Sequence, residues 1–301
     1  MIPLPTIRQL QFFTALVRRQ SFSKAAEDCL VSQSTLSSGI KELEGLLRQQ
    51  LVDRSTRSFA LTPTGEEVAA RAAQLLAIAE DIARSADAQR PLEGPFRLGV
   101  IPTIAPFILP AAAPALRAAH PKLELYLRED LTAKLADLLA VGQLDAVILA
   151  LPYDLPGMET LDIAADPFVF AAAPGHPLLD LAETPLEALR ETRLLLLEDG
   201  HCLRDHALDA CKLQDPQAAA AYGATSLFTL AQMVQSGLGA TLLPEMAVRA
   251  GFATASGLKT RPLSAPAPVR RIGIAWRKGS GRAEEAELIA SAVAEAMAGE
   301  D

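Results

Sequence analysis

The feature that most constrains the fold is a regular alternation of strand-like and helical segments that starts near residue 96. The strand-like runs are FRLGVI, LELYLRE, LDAVILAL, PFVFAAA, TRLLLLE, GATLLP and RIGIAW, with helical stretches between them. This order predicts an α/β body with a parallel sheet. RIGIAW comes late, and a strand that returned to an earlier sheet would divide the body into two lobes. We place one lobe at about 95–165 and 270–301 and the other at 166–269.

Residues 1–63 lack this alternation and predict a small helical domain. Thr6 and Gln9 fit a capping box at the start of a first helix. A later helix has an apolar stripe formed by Leu36, Ile40, Leu43 and Leu47. Near its start, the opposite face carries short polar side chains and one cation: Gln33, Ser34, Thr35, Ser37, Ser38 and Lys41. Such groups at the N-terminal end of a helix can read base edges in a DNA major groove.

Two further cations and the distribution of charge also favour DNA as the partner of this domain. Arg54 and Arg57 lie in DRSTRSFALT, which predicts a two-stranded wing that places them beside the DNA backbone. The chain has a net charge of −8, but residues 1–60 carry +3, so the remainder carries −11. A basic N-terminal segment on an otherwise acidic chain suggests that this segment binds phosphates. The alternative is a generic helical domain with a solvated polar face.

Residues 64–90 predict a long connecting helix. Apolar residues recur at alternating spacings of four and three, at Val68, Ala72, Leu75, Ala79, Ile82 and Ala86. This heptad seam is long enough for a dimerising helix pair. The alternative is a single amphipathic helix packed on its own domain. Pro91 and the Gly94-Pro95 pair end the segment and mark a linker.

Two of the three cysteines lie close together in GHCLRDHALDAC, a stretch that predicts a helix from Cys202 to Cys211. The helix N-terminus, His201 and Arg204 are expected to lower the pKa of the Cys202 thiol, which favours the reactive thiolate. Nine helical steps separate the two thiols by about 13 Å along the axis, whereas a disulfide needs Cα atoms within about 7 Å. Disulfide formation would therefore require this helix to unwind.

Three polar segments follow strands of the α/β body, which is where such folds bind ligands. They are Thr103, Thr132 and the pair His201-Cys202. Each hydroxyl taken alone has a simpler explanation as a helix cap. The two cysteines also have alternatives, as a buried pair or, with His201 and His206, as a zinc site.

The N-terminal pattern resembles the LysR-type transcriptional regulators. The resemblance is carried by LQFFTALVRRQSFSKAAEDCLVSQSTLSSGIKELE and LVDRSTRSFALTPTGE, and it departs at Ser34, where the family usually has proline. It implies a winged helix-turn-helix domain at 1–63, a linker and dimerisation helix at 64–92, and a two-lobed, periplasmic-binding-protein-like regulatory domain at 93–301. It also implies double-stranded DNA as partner, a dimer of dimers, and contact with RNA polymerase.

The regulatory domain further resembles the peroxide-sensing members of that family, through VIPTIAPFILP, LYLREDLTAKLADLLAVGQLDAVILAL, GHCLRDHALDAC and MVQSGLGATLLP. This resemblance implies Cys202 as the thiol that peroxide attacks and Cys211 as the thiol that resolves it. The residues that it implies around the peroxide are Thr103, Thr132, His201, Arg204 and Asp205, with Arg270 or Arg271 nearby. His206 departs from the usual glutamine.

We therefore expect a regulator of antioxidant genes that is reset by glutaredoxin or thioredoxin, with no cofactor, no metal and no enzymatic turnover. The rival functions are a LysR-type regulator that answers a small organic effector, a thiol peroxidase, and a zinc sensor. The first residues do not resemble a signal peptide, and no apolar stretch reaches the roughly 18 residues of a membrane span. With three cysteines in 301 residues, we expect a reducing cytoplasm rather than secretion.

Overall fold

The computed structural model describes residues 3–53, 59–85, 91–211 and 223–299. The chain divides into two compact units, an N-terminal helical unit and a larger α/β unit. The helices are α1 (Ile7–Arg19), α2 (Phe22–Asp28), α3 (Gln33–Leu47), α4 (Pro63–Ser85), α5 (Ala105–Ala119), α6 (Thr132–Ala140), α7 (Cys202–Cys211), α8 (Leu227–Gln235), α9 (Glu245–Arg249), α10 (Phe252–Ala255) and α11 (Ala283–Ala298). The strands are β1 (Val52–Asp53), β2 (Ala60–Leu61), β3 (Gly94–Val100), β4 (Leu123–Glu129), β5 (Ala146–Leu151), β6 (Met158–Ala172), β7 (Leu196–Leu197), β8 (Gly223–Ala224), β9 (Thr241–Pro244), β10 (Lys259–Pro262) and β11 (Val269–Arg277).

The N-terminal unit packs α1, α2 and α3 around one apolar core. α1 begins with the predicted capping box, in which Thr6 and Gln9 each accept the other's backbone N–H. α3 begins after Ser32, whose hydroxyl accepts the N–H of Thr35. The apolar stripe of α3 is buried in the core, as predicted, and its polar face is left outside.

The wing and the long helix follow α3. β1 and β2 pair antiparallel, Val52 with Leu61, which confirms the predicted wing strands. Arg54 and Arg57 lie outside the described residues. In α4, Val68 and Ala72 pack on the core of the N-terminal unit. The seam positions Leu75 and Ile82 are exposed, as is the nearby Ile78.

The α/β unit is built on a mixed sheet. In the described ranges its strand order is β10-β6-β11-β5-β3-β4, with β9 also paired to β6. β3 lies parallel to β4 and β5, but β11 is antiparallel to both β5 and β6. The predicted parallel sheet is therefore wrong for the second half of the unit, because β6 and β11 run against each other and against their other neighbours.

β6 connects two groups of strands. Residues 158–167 pair with β11, and Phe168–Ala172 pair with β9 and β10. The sequence predicts only the run PFVFAAA as a strand here, so it misses the first nine residues of β6. Those residues are mostly exposed or half-buried and lack a continuous apolar run. Asp166 lies where β6 passes from one group to the other, and it pairs in register with Arg270 of β11.

None of the described helices has the length and apolarity that crossing a bilayer requires.

Candidate redox site

Cys202 is the first residue of α7, and it is buried with only 9% of its surface exposed. The chain reaches it from β7 through Glu198, Asp199 and Gly200. Gly200 has a φ of 94°, a left-handed conformation that side chains disfavour. This turn directs Cys202 into the α/β unit.

On one side, Cys202 borders a narrow space. Thr103, Thr132 and His201 border the same space, and all three are buried. The space leaves no room for a water molecule. The structure thus brings together the three segments that the sequence predicts to lie beyond the ends of strands.

On its other side, Cys202 faces an open cavity of about 570 Å³. Asp205, His206 and Arg270 border this cavity, and so does Tyr153, which follows β5. Tyr153 could not be predicted from the sequence, because one tyrosine after a strand carries no spacing signal. His206 follows Cys202 by one helical turn, and this i, i+4 spacing is the signal that could have placed it there.

The pKa of the Cys202 thiol is raised above its ordinary value, chiefly because burial disfavours the thiolate. Three contacts act in the opposite direction: a hydrogen bond from Thr132, the positive charge of Arg270, and a hydrogen bond from the backbone of Ala150. Asp205 raises the pKa further. The predicted lowering of this pKa is therefore wrong, because the desolvation of the sulfur outweighs the groups that stabilise its charge.

Arg270 is the cation next to Cys202, and it is almost completely buried. It donates to the hydroxyl of Thr103 at 3.0 Å and to the Thr103 carbonyl at 3.0 Å. It also forms an ion pair with Asp166 at 2.7 Å. Thr103 accepts these hydrogen bonds just before α5, whose N-cap is Ile104, so it is not a simple helix cap. Arg271 points to the opposite face of β11, where it is exposed and pairs with Asp162.

Arg204 has a different position from the one that the sequence predicts. Its guanidinium pairs with Asp199 at 3.0 Å and donates to the carbonyl of Leu197 at 3.3 Å. Arg204 is not among the residues that border the two spaces beside Cys202. It instead holds the turn that leads into α7.

His201 is buried next to Cys202 and borders the same narrow space. Burial lowers the pKa of its ring, while Glu198 and a hydrogen bond to the backbone of Thr225 act in the opposite direction. The neutral form is therefore favoured in the folded protein.

Cys211 ends α7, so the backbone between the two cysteines is helical as predicted. The side chain of Cys211 lies outside the described part of the chain. Among the described residues, no group of three or more His, Cys, Asp and Glu side chains is arranged to hold a metal ion. Cys29 follows α2 and packs, partly buried, against the N-terminal core.

The polar face of α3 is accessible. Gln33, Ser34, Thr35, Ser38 and Lys41 are exposed, and Ser37 is half-buried. The hydroxyl of Ser23 on α2 donates to the side-chain oxygen of Gln33 at 2.9 Å. These residues form one continuous surface at the start of α3.

Comparisons with known proteins agree with this organisation. A family model described as "Bacterial regulatory helix-turn-helix protein, lysR family" matches residues 7–66, and one described as "LysR substrate binding domain" matches residues 89–298. A "Probable hydrogen peroxide-inducible genes activator" of Streptomyces viridosporus is 42% identical over 97% of this chain and 95% of its own length. The "HTH-type transcriptional regulator EstR" of Acinetobacter baylyi is 45% identical over 82% of each chain. A full-length OxyR from Pseudomonas aeruginosa, solved as a cysteine-to-aspartate variant, has a TM-score of 0.81 at 35% identity, over 97% of this chain and 95% of that one.

Proposed function

Because this chain belongs to the LysR family of bacterial DNA-binding transcriptional regulators, we propose that it couples the oxidation of Cys202 by hydrogen peroxide to the transcription of antioxidant genes. Support comes from the similarity to OxyR and to peroxide-inducible activators over almost the whole chain. The observation that carries the proposal is a buried thiol at the first residue of a helix that ends in a second cysteine.

The first chemical step takes place at the Cys202 sulfur. The thiolate attacks one oxygen of hydrogen peroxide, the O–O bond breaks, and the departing hydroxide takes a proton to become water. Cys202 becomes a sulfenic acid. Thr132 and Arg270 stabilise the thiolate that begins the step. Thr103, His201 and Asp205 complete the polar surroundings in which peroxide would be held, and Arg204 supports them by holding the turn before α7.

The second step joins the two cysteines. The Cys211 thiolate attacks the sulfenic sulfur, an S–S bond forms, and the hydroxyl of the sulfenic acid leaves as water once protonated. Both cysteines belong to α7, so the bond cannot form while the helix is intact. Oxidation is thereby converted into the unwinding of a helix.

The α/β unit has the organisation that such a switch requires. The two strand groups that meet along β6 support a division into two lobes of a periplasmic-binding-protein-like domain, which we place at about 95–165 with 270–301 and at 166–269. Asp166 and Arg270 lie at the junction, and α7 belongs to the second group. Unwinding of α7 would change the second lobe and hence the surfaces that it offers to other subunits.

DNA recognition belongs to the N-terminal unit. Gln33 and Thr35 extend from the accessible start of α3 towards base edges, together with Ser34, Ser37 and Ser38, while Lys41 and the wing residues Arg54 and Arg57 contact phosphates. Leu75, Ile78 and Ile82 of α4 expose apolar surface, which fits a helix pair between two chains. Two such dimers would occupy paired half-sites on DNA.

Activation of transcription would require contact with RNA polymerase. A cytoplasmic dithiol reductant of the glutaredoxin or thioredoxin class would return the disulfide to two thiols.

A second candidate is a LysR-type regulator that answers a small organic effector. It is favoured by the cavity of about 570 Å³, which exceeds what peroxide alone needs. In that case, the cavity would be the effector site and oxidation of Cys202 would be incidental.

The test is a DNA footprint of the full chain with and without micromolar peroxide. We expect the footprint of the wild type to change on oxidation and to return when a dithiol reductant is added. Cys202→Ser should leave the footprint unchanged by peroxide, whereas the matched control Cys29→Ser should respond as the wild type does. A Cys202→Ser protein that still responds to peroxide would overturn the proposal.

A further inference from the structure

The ion pair between Asp166 and Arg270 is the most deeply buried one described in the α/β unit. The two side chains are 1% and 0% exposed, and the Oδ2 of Asp166 lies 2.7 Å from the Nε of Arg270. Two opposite charges removed from water are a weak source of net stability, because the desolvation of each group offsets their attraction. Arg270 borders the same cavity as Cys202, which suggests a second role for the pair.

Both carboxylate oxygens of Asp166 accept a hydrogen bond. Oδ2 accepts from Arg270, and Oδ1 accepts the backbone N–H of Met246 at 2.9 Å, in the first turn of α9. A carboxylate can accept at both oxygens, whereas an amide has only one acceptor. Asparagine could therefore satisfy one of these two donors but not both.

Arg270 is fixed from three directions. Besides Asp166, it donates to the Oγ1 and to the carbonyl oxygen of Thr103, both at 3.0 Å. These two contacts do not involve Asp166. If the charge of Asp166 were removed, the guanidinium would still be held beside Thr103, at the edge of the cavity that Cys202 borders.

The charge of Arg270 therefore acts on two neighbours at once, the carboxylate of Asp166 and the sulfur of Cys202. In a buried environment, a negative charge held against the guanidinium reduces the positive potential that it projects elsewhere. We propose that Asp166 is a positioning residue that weakens the electrostatic stabilisation of the Cys202 thiolate by Arg270. The oxidation of Cys202 by peroxide is therefore slower than it would be without Asp166. This inference rests on the proposed peroxide function, and it adds that the sensitivity of the sensor is set from β6.

The test compares the full-length wild type with Asp166→Asn, both carrying Cys29→Ser and Cys211→Ser so that Cys202 is the only thiol. The measurements are the rate of sulfenic acid formation with peroxide and the pH profile of alkylation, which reports the pKa of Cys202. The other ionisable groups that border the spaces beside Cys202 are Asp205, His206, His201 and Tyr153, and they are the same in both proteins.

We expect Asp166→Asn to shift the alkylation profile to lower pH and to accelerate oxidation at neutral pH. A tenfold gain in thiolate population is partly offset by the lower nucleophilicity of a less basic sulfur, which leaves a net acceleration of about threefold. A purely structural role would lower the melting temperature and leave the pH profile unchanged. An unchanged profile, or slower oxidation in folded Asp166→Asn, would overturn the inference.

A second variant keeps the inference testable should Asp166→Asn fail to fold. Arg270→Lys retains the positive charge but replaces the guanidinium, which reaches Asp166 and Thr103 together, by a single ammonium. The ammonium should be drawn to Asp166, and oxidation of Cys202 should slow by about threefold or more. Oxidation as fast as in the wild type would contradict the inference. If the wild-type thiol itself does not react with peroxide, it is the proposed function that fails, so the two failures are distinguishable.

Discussion

Cys202 and Cys211 are the first and last residues of the same ten-residue helix, α7. With a rise of about 1.5 Å per residue, their Cα atoms lie about 13 Å apart along the axis, roughly twice the largest separation that a disulfide tolerates. The reduced fold and the disulfide therefore exclude each other locally. This relationship converts a change at one sulfur into a change of backbone structure.

The backbone amides of α7 should lose their protection from hydrogen exchange when the disulfide forms. The hydrogen bonds that are lost are the backbone hydrogen bonds within residues 202–211. The exchange of these amides is measured by mass spectrometry of peptides that cover α7. Cys211→Ser, which can form the sulfenic acid but not the disulfide, should keep its protection after peroxide treatment. Equal protection in the reduced and the disulfide-bonded wild type would show that α7 does not unwind.

Thr132→Val should slow the oxidation of Cys202. The hydroxyl of Thr132 donates a hydrogen bond that lowers the pKa of the Cys202 thiol. Without this hydrogen bond, the pKa should rise further above its ordinary value. A hydrogen bond to a charged group contributes about 1.5–3 kcal/mol, so the thiolate population should fall by about tenfold or more. The rate should fall by about threefold or more, because the more basic sulfur is also the better nucleophile. Stopped-flow measurement of oxidation checks this. Thr132→Ser retains the hydroxyl and should be oxidised at nearly the wild-type rate. A wild-type rate in Thr132→Val would show that the hydroxyl does not contribute to the oxidation of Cys202.

His201 should make the stability of the α/β unit depend on pH. Burial lowers the pKa of its ring in the folded state, so the unfolded chain binds the proton more readily. The contribution of His201 to the free energy of unfolding is complete above about pH 6.5, the ordinary pKa of histidine. It is lost as the pH falls towards the lower pKa of the folded state. Urea unfolding between pH 5 and pH 8 should therefore show a smaller acid loss in His201→Gln than in the wild type. The same dependence of the free energy of unfolding on pH in both proteins would contradict this assignment.

Lys41→Ala should weaken DNA binding and reduce its dependence on salt. Lys41 is exposed on the polar face of α3, where it can contact a phosphate. Loss of one phosphate contact lowers the slope of log K against log salt by about 1. Binding titrations at several salt concentrations measure the slope. Lys122→Ala, which removes an exposed cation paired with Glu93 in the other unit, is the matched control and should leave the slope unchanged.

The parts of this protein that follow from periodicity could be predicted from the sequence. The stripe of Leu36, Ile40 and Leu43 is buried as its spacing requires, and α7 covers the predicted residues. β6 could not be predicted in full, because its first nine residues carry no apolar alternation and are held by pairing with β11.

The site itself was only partly predictable. Arg270 and Arg271 are consecutive in a strand and must point to opposite faces, but both are arginines, so the sequence does not say which one is inside. The structure answers this through Asp166 and Thr103, which accept from Arg270. The direction of the Cys202 pKa likewise depends on burial, which helix-dipole and neighbour arguments do not include.

The central claim is that peroxide closes a bond between Cys202 and Cys211. Peptide mass mapping of the full chain after treatment with one equivalent of peroxide tests it most directly. The account predicts one intramolecular disulfide that joins the peptides containing these two residues and disappears on reduction, with Cys29 left as a free thiol. A chain whose footprint on DNA changes with peroxide while both Cys202 and Cys211 remain unmodified would contradict it.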